Sequence, residues 1–166
     1  MPIVDGQVLA AADLSGISRP GASLVKTVTQ TYSASTWFQV TFDAVGDQDL
    51  AGMADVASSK LVVPATGTYL VGAHVAHQRN YTAAAIRAAA IIKGTSAPSN
   101  STPYNRLVQE SHYHADEWYA ALSQRVQLNA GDEITLWFWG GSGTTADRTF
   151  GPNIERYNFN LWMQRA

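Results

Sequence analysis

The 166-residue chain has no cysteine, which excludes disulfides and thiolate metal sites and leaves no evidence of redox compartment. It is also short of charge: Asp, Glu, Lys and Arg make up 14% of it, against roughly 25% in an average soluble domain. With 13 acidic and 11 basic residues the net charge is −2, so no nucleic-acid or anionic-membrane footprint is visible. No apolar run approaches the roughly 20 residues of a bilayer-spanning helix, so no membrane insertion is expected. The opening residues lack the basic-then-apolar order of a secretory signal. No glycine-rich stretch is followed by Lys-Ser or Lys-Thr, and Gly140 to Gly143 lacks the spacing of a nucleophile elbow.

Aromatics, by contrast, are plentiful: five Trp, seven Tyr and five Phe. Low charge with many aromatics predicts surface hidden in an oligomer, where such side chains are favoured. The clearest pattern runs from Val126 to Trp139 and reads as strand, tight turn, strand. Asn129 to Asp132 supplies the turn, and Ile134, Leu136 and Phe138 then share one face at period 2. Thr135, Trp137 and Trp139 take the other face, which predicts that this side packs on something outside the chain. Ordinary core packing is the competing reading for each tryptophan.

From Leu24 onward the chain reads as strands. Leu24–Gln30, Trp37–Asp43, Lys60–Val63, Thr68–Gln78, Tyr104–His114, Glu117–Leu128 and Ile154–Met163 alternate or are β-branched. Ala83 to Lys93 is rich in alanine, which favours helix, yet its isoleucines between turn signals fit a strand in this context. Ala44 to Ser59, Gly94 to Pro103 and Gly140 to Thr145 read as loops. The fold class is therefore all-β: an antiparallel jelly-roll sandwich of about eight to ten strands, residues 24–166. Residues 1–23 differ. Val8 to Leu14 makes at most two helical turns before Gly16, Pro20 and Gly21, so this segment is read as an anchor arm with Val8, Leu9, Leu14 and Ile17 as its docking residues. A frayed terminus is the competing reading.

Two features could carry chemistry. His112 and His114 are two apart and share a strand face, with Asp116 and Glu117 close behind; this could hold zinc, though no third ligand follows from spacing. A small jelly-roll enzyme would use His112, His114 and Glu117. Asp43, Asp47, Asp49 and Asp55 form an acidic stretch, but their spacing is not that of a helix-loop-helix calcium loop, and a solvated loop is the plainer reading. No cofactor and no catalytic residue are assigned; His112 and His114 stay weak metal candidates.

Three stretches together resemble complement-type globular heads, relatives of tumour necrosis factor. Val63 to Val75 resembles their "P-x-x-G-x-Y-x-(F/V)-x-x-x-V" strand, Val126 to Leu136 their "L-x-x-G-D-x-(V/I)-x-L" hairpin, and Tyr157 to Met163 their closing strand. The resemblance implies a ten-stranded jelly roll assembled as a trimer around an aromatic-lined axis, with Trp137, Trp139, Tyr157 and Trp162 as interface candidates. The opening, Asp5 to Leu14, with Arg19-Pro20 and Thr36 to Asp43, resembles virion structural proteins of tailed phages that infect actinobacteria. Those read "G-x-V-L-T-A-x-D-L-N"; here Ala10 replaces the Thr and Ser15 the Asn, which removes a helix-capping hydroxyl. The implied function is a non-enzymatic homotrimer on the virion surface, made in the host cytoplasm and attached to capsid or tail subunits, as capsid decoration or a minor tail component. The alternative is a host-attachment adhesin that binds cell-surface glycan through Trp118, Tyr119, Trp37 and Tyr104.

Overall fold

The computed structural model describes residues 21–28, 30–32, 36–77, 85–98, 105–114, 118–140, 148–150 and 160–166. Within them the chain forms strands β1 (Gly21–Val25), β2 (Gln30–Tyr32), β3 (Trp37–Gln39), β4 (Ala44–Asp49), β5 (Ala54–Asp55), β6 (Lys60–Val62) and β7 (Gly67–His77). These are followed by β8 (Ala85–Lys93), β9 (Arg106–His114), β10 (Trp118–Leu128), β11 (Glu133–Gly140), β12 (Arg148–Phe150) and β13 (Asn160–Arg165). Two antiparallel sheets face each other. The first has the order β10-β7-β13-β1-β4, and the second β5-β6-β11-β8-β9, with β3 also paired to β11. The small pair β12-β2 stands apart. This is a jelly roll, as the patterning predicts, with more and shorter strand elements than the eight to ten expected.

Period-2 alternation decides what fills the space between the sheets. Tyr69, Val71, Ala73 and Val75 of β7 lie between Leu161 and Met163 of β13 and Ala120 and Leu122 of β10, and all are buried. Ala22 and Leu24 of β1 extend this layer. The second sheet answers with Ile134, Leu136 and Phe138 of β11 and Ala89 and Ile91 of β8. At this density each large-to-alanine change costs about 2–5 kcal/mol.

The alanine run of β8 is strand, and the register explains its composition. Trp137, Phe138 and Trp139 of β11 lie opposite Ala90, Ala89 and Ala88. Bulky rings on one strand need small partners on the next, so helix-favouring alanines serve here as spacers in a sheet. On the other side of β11 the pairing is aromatic: Trp139 meets Trp37 at 5.9 Å between ring centroids, and Phe138 meets Phe38 at 5.5 Å.

Several expectations need correction. The stretch Val126 to Trp139 is not a hairpin: β10 pairs with β7 in one sheet, and β11 with β8, β6 and β3 in the other. The turn between them carries the chain across the sandwich. It is held by Asp132, whose carboxylate accepts from Asn129 N (2.9 Å), and by Gly131 at φ 84°, whose N–H donates to Val63 O (2.8 Å). Ala44 to Ser59 is not all loop, since β4 and β5 lie within it; the small residue Gly46 and polar Asp47 and Gln48 suit an edge strand. Leu24 to Gln30 divides into β1 and the start of β2, and Trp37 to Asp43 is strand only as far as Gln39. Strand β1 begins at Gly21, so Gly21 to Ser23 belong to the sheet. Val8, Leu9, Leu14 and Ile17 lie outside the described residues.

Candidate functional site

The outer face of the first sheet is a regular grid because β10, β7, β13 and β1 run in continuous register. One row reads Arg125, Leu70, Gln164, Gly21; the next Ser123, Gly72, Trp162, Ser23; the next Ala121, His74, Asn160, Val25. Trp162 is thus a single large ring among small and polar side chains. A Cβ on Gly72 would come within 2.5 Å of Trp162 Cε2 and 2.9 Å of Leu122 O, so the indole lies over bare backbone. The ring remains half-buried, and among the described residues nothing caps it.

Two shallow depressions lie on this face, one of them against the ring. One, of about 310 Å³, is lined by Ser23, Asp47, Gln48, Asn160, Trp162 and Gln164. The other, of about 360 Å³, is lined by Leu70, Arg125, Gln164, Arg165 and Ala166. The first carries a carboxylate and the second two guanidinium groups. Asn160 Oδ1 accepts from His74 N at 3.0 Å, which fixes its amide beside the ring.

The outer face of the second sheet differs. Trp137 is only 9% exposed, packed with Ala90, Ile92 and Trp37, and its Nε1 donates to Thr135 Oγ1 at 2.9 Å. The Thr135 hydroxyl in turn donates to Gly94 O (2.6 Å). Trp139 is half-buried against Trp37. Trp137 therefore has its cover and its hydrogen bond inside the chain, and needs no external partner to be buried. Of the interface candidates, Trp162 lies on the outer face of the first sheet and Trp137 and Trp139 on that of the second; Tyr157 lies outside the described residues.

The acidic residues act singly. The Asp43 carboxylate accepts from Thr27 N (2.8 Å), Thr27 Oγ1 (2.6 Å) and Val28 N (3.0 Å). Burial opposes its charge, but the Thr27 hydroxyl, these N–H groups and nearby Lys26 together hold its pKa below the usual value. Asp49 Oδ1 takes Met53 N (2.6 Å), and Asp55 Oδ1 takes Ser58 N (3.0 Å). These carboxylates pin turns, and among the described residues no three His, Asp or Glu gather as metal ligands. Lys26 is 4% exposed and donates to Thr41 O (2.8 Å); burial pushes its pKa down, with Asp43 opposing. Lys60 links three strands, donating to Glu133 on β11 and lying 3.7 Å from Asp55 on β5; the Glu133 bond raises its pKa. Arg87 is fully buried at one end of the core face, opposite His112 and Gly140, and sequence reasoning did not single it out. His112 and His114 lie on β9 as expected, and Trp118 and Tyr119 open β10. Tyr104, Asp116 and Glu117 lie outside the described residues.

No family model matches the sequence, and no curated protein does. Solved structures do share the fold. The Eiger TNF of S. frugiperda superposes with a TM-score of 0.60 at 13% identity, covering 90% of this chain and 93% of that one. The globular domain of zebrafish complement 1qA gives 0.58 at 12% identity, covering 88% and 96%. The architecture is that of TNF-like and complement-type globular heads, as the three motif stretches imply. At these identities the likeness is one of fold.

Proposed function

We propose that the chain is a non-enzymatic, self-associating jelly-roll head that forms a homotrimer through the outer face of the sheet β10-β7-β13-β1-β4. The observation that carries this reading is Trp162. A half-buried indole set over Gly72, flanked by Ser23 and Ser123 and left without a cap among the described residues, is a flat, rigid anchor of the kind that concentrates in interfaces. Trp137 needs no such partner, because it is covered from within. The shared fold with TNF-like and complement-type heads supports a trimer.

The resemblance of Asp5 to Leu14 and Thr36 to Asp43 to phage virion proteins supports a place on the particle surface, with residues 1–20 as the attachment arm to capsid or tail subunits. Three arms per trimer would multiply weak contacts by avidity.

Sedimentation equilibrium of the full chain at micromolar concentration tests the association. The expected mass is three times the 17.9 kDa of the chain, and a monomer at that concentration defeats the reading. Electron cryomicroscopy of the intact particle tests the location: trimeric density over the shell makes it decoration, density at the tail makes it a tail component, and its absence from the particle removes the virion role.

A further inference from the structure

The charges on the Trp162 face are segregated. Among the described residues, the edge strand β10 at one side contributes Arg125 and the edge strand β4 at the other contributes Asp47, while Arg165 lies at the end of the central strand β13 and donates to Thr66 O. From β10 to β4 there are four interstrand spacings, about 19 Å in all. That exceeds the screening length of about 8 Å at physiological salt, so the two sides cannot satisfy each other within one copy. Neither Arg125 nor Asp47 has an ion pair within the described residues.

We propose that Arg125 of one copy seats in the Trp162 depression of the next, its guanidinium flat on the indole and against the Asp47 carboxylate. The inference rests on the self-association reading and names the contact that makes it. The chemistry of the depression selects the occupant. An aromatic face, a carboxylate and the side-chain amide oxygens of Gln48 and Gln164 together match a planar cation with several in-plane donors. Arginine fits this and lysine does not, because an ammonium cannot lie flat on the ring or donate in a fork. The donor side is also suited. Strand β10 is an edge of its sheet, Arg125 is exposed, and its neighbours on that face are the small residues Ser123 and Ala121. Another copy can therefore approach closely. Two different patches meeting make a head-to-tail contact, which closes into a ring when the rotation allows.

The test is charge exchange in the full chain, read by sedimentation equilibrium. Arg125→Glu alone and Asp47→Arg alone are each expected to weaken association roughly 30-fold or more, and the double exchange to recover most of it. Arg125→Lys is expected to weaken association as well, because it keeps the charge and loses the stacking. Both positions lie on the surface, so unchanged circular dichroism of each variant verifies the fold. Single variants that associate like the parent, or a double exchange that recovers nothing, overturn the pairing while leaving the trimer standing. A parent chain that is monomeric overturns the self-association reading itself, and the pairing with it. Recovery in the double exchange with a dimeric mass supports the pairing and rejects the trimer.

Discussion

Trp137 and Trp162 occupy equivalent situations in the two sheets and meet different fates. Each projects from the outer face of its sheet, and each is flanked by small residues that make room for the indole: Ala90 beside Trp137, Gly72 and Ser23 beside Trp162. Trp137 also has Trp37 against it and the Thr135 hydroxyl for its N–H, which leaves it 9% exposed. Trp162 has a polar depression beside it instead, lined by Asp47, Gln48, Asn160 and Gln164. The difference teaches that a tryptophan outside a sandwich core is evidence of a partner only after the chain's own strands are counted. At Trp137 the partner is β3; at Trp162 the proposed partner is a second copy.

The largest effect that sharpens this contrast is expected from Trp137→Ala. It removes a buried ring and its hydrogen bond to the Thr135 hydroxyl, for a loss of about 3–5 kcal/mol in chemical denaturation of the dissociated chain. Trp162→Ala should cost clearly less stability there, and should abolish association in sedimentation. Equal stability losses for the two in the dissociated chain would erase the distinction. Next comes Gly72→Ala, whose methyl group must displace the indole and crowd Leu122 O. Overpacking of this kind costs about 1–3 kcal/mol, and with the ring lifted the trimer should weaken in the same sedimentation assay.

A smaller effect is set by pH. Asp43 has a folded pKa below its ordinary 3.8, so its contribution is present above that value and is lost as pH falls through the lowered one. Asp43→Asn should flatten the acid limb of a stability–pH profile without changing association, because Asp43 bonds to Thr27 and Val28 rather than lying in the Trp162 depression. The smallest effect is at Lys60, partly buried between Asp55 and Glu133. Its raised pKa means that its contribution is present below 10.5 and lost as pH rises through the higher folded value. Lys60→Gln should remove that alkaline dependence while barely moving the neutral-pH melting temperature.

Much of the fold was legible because burial imposes period 2 on a strand. The inward faces Tyr69-Val71-Ala73-Val75 and Ile134-Leu136-Phe138 were readable directly, and both are buried as expected. The strand character of Ala85–Lys93 was also readable, although the reason for its alanines was not. They face the rings of β11, on residues 47 to 51 positions away in sequence, and only register discloses that. The strand β4 was missed because an edge strand carrying Gly46, Asp47 and Gln48 has no buried face to announce it. The acidic stretch read most plainly as a solvated loop; within it Asp49 and Asp55 close turns and Asp43 ties down Thr27 and Val28, roles decided by which N–H groups come within reach.

By itself the sequence determined the all-β class, the inward residues and the turn at Asn129 to Asp132, all of which depend on neighbours a few positions apart. Tertiary structure alone decided that this turn crosses between sheets, that Trp137 is capped by β3, and that Trp162, Asp47 and Arg125 share one outer face. Those facts depend on strand pairing between distant segments, and local periodicity carries no information about which strands will meet.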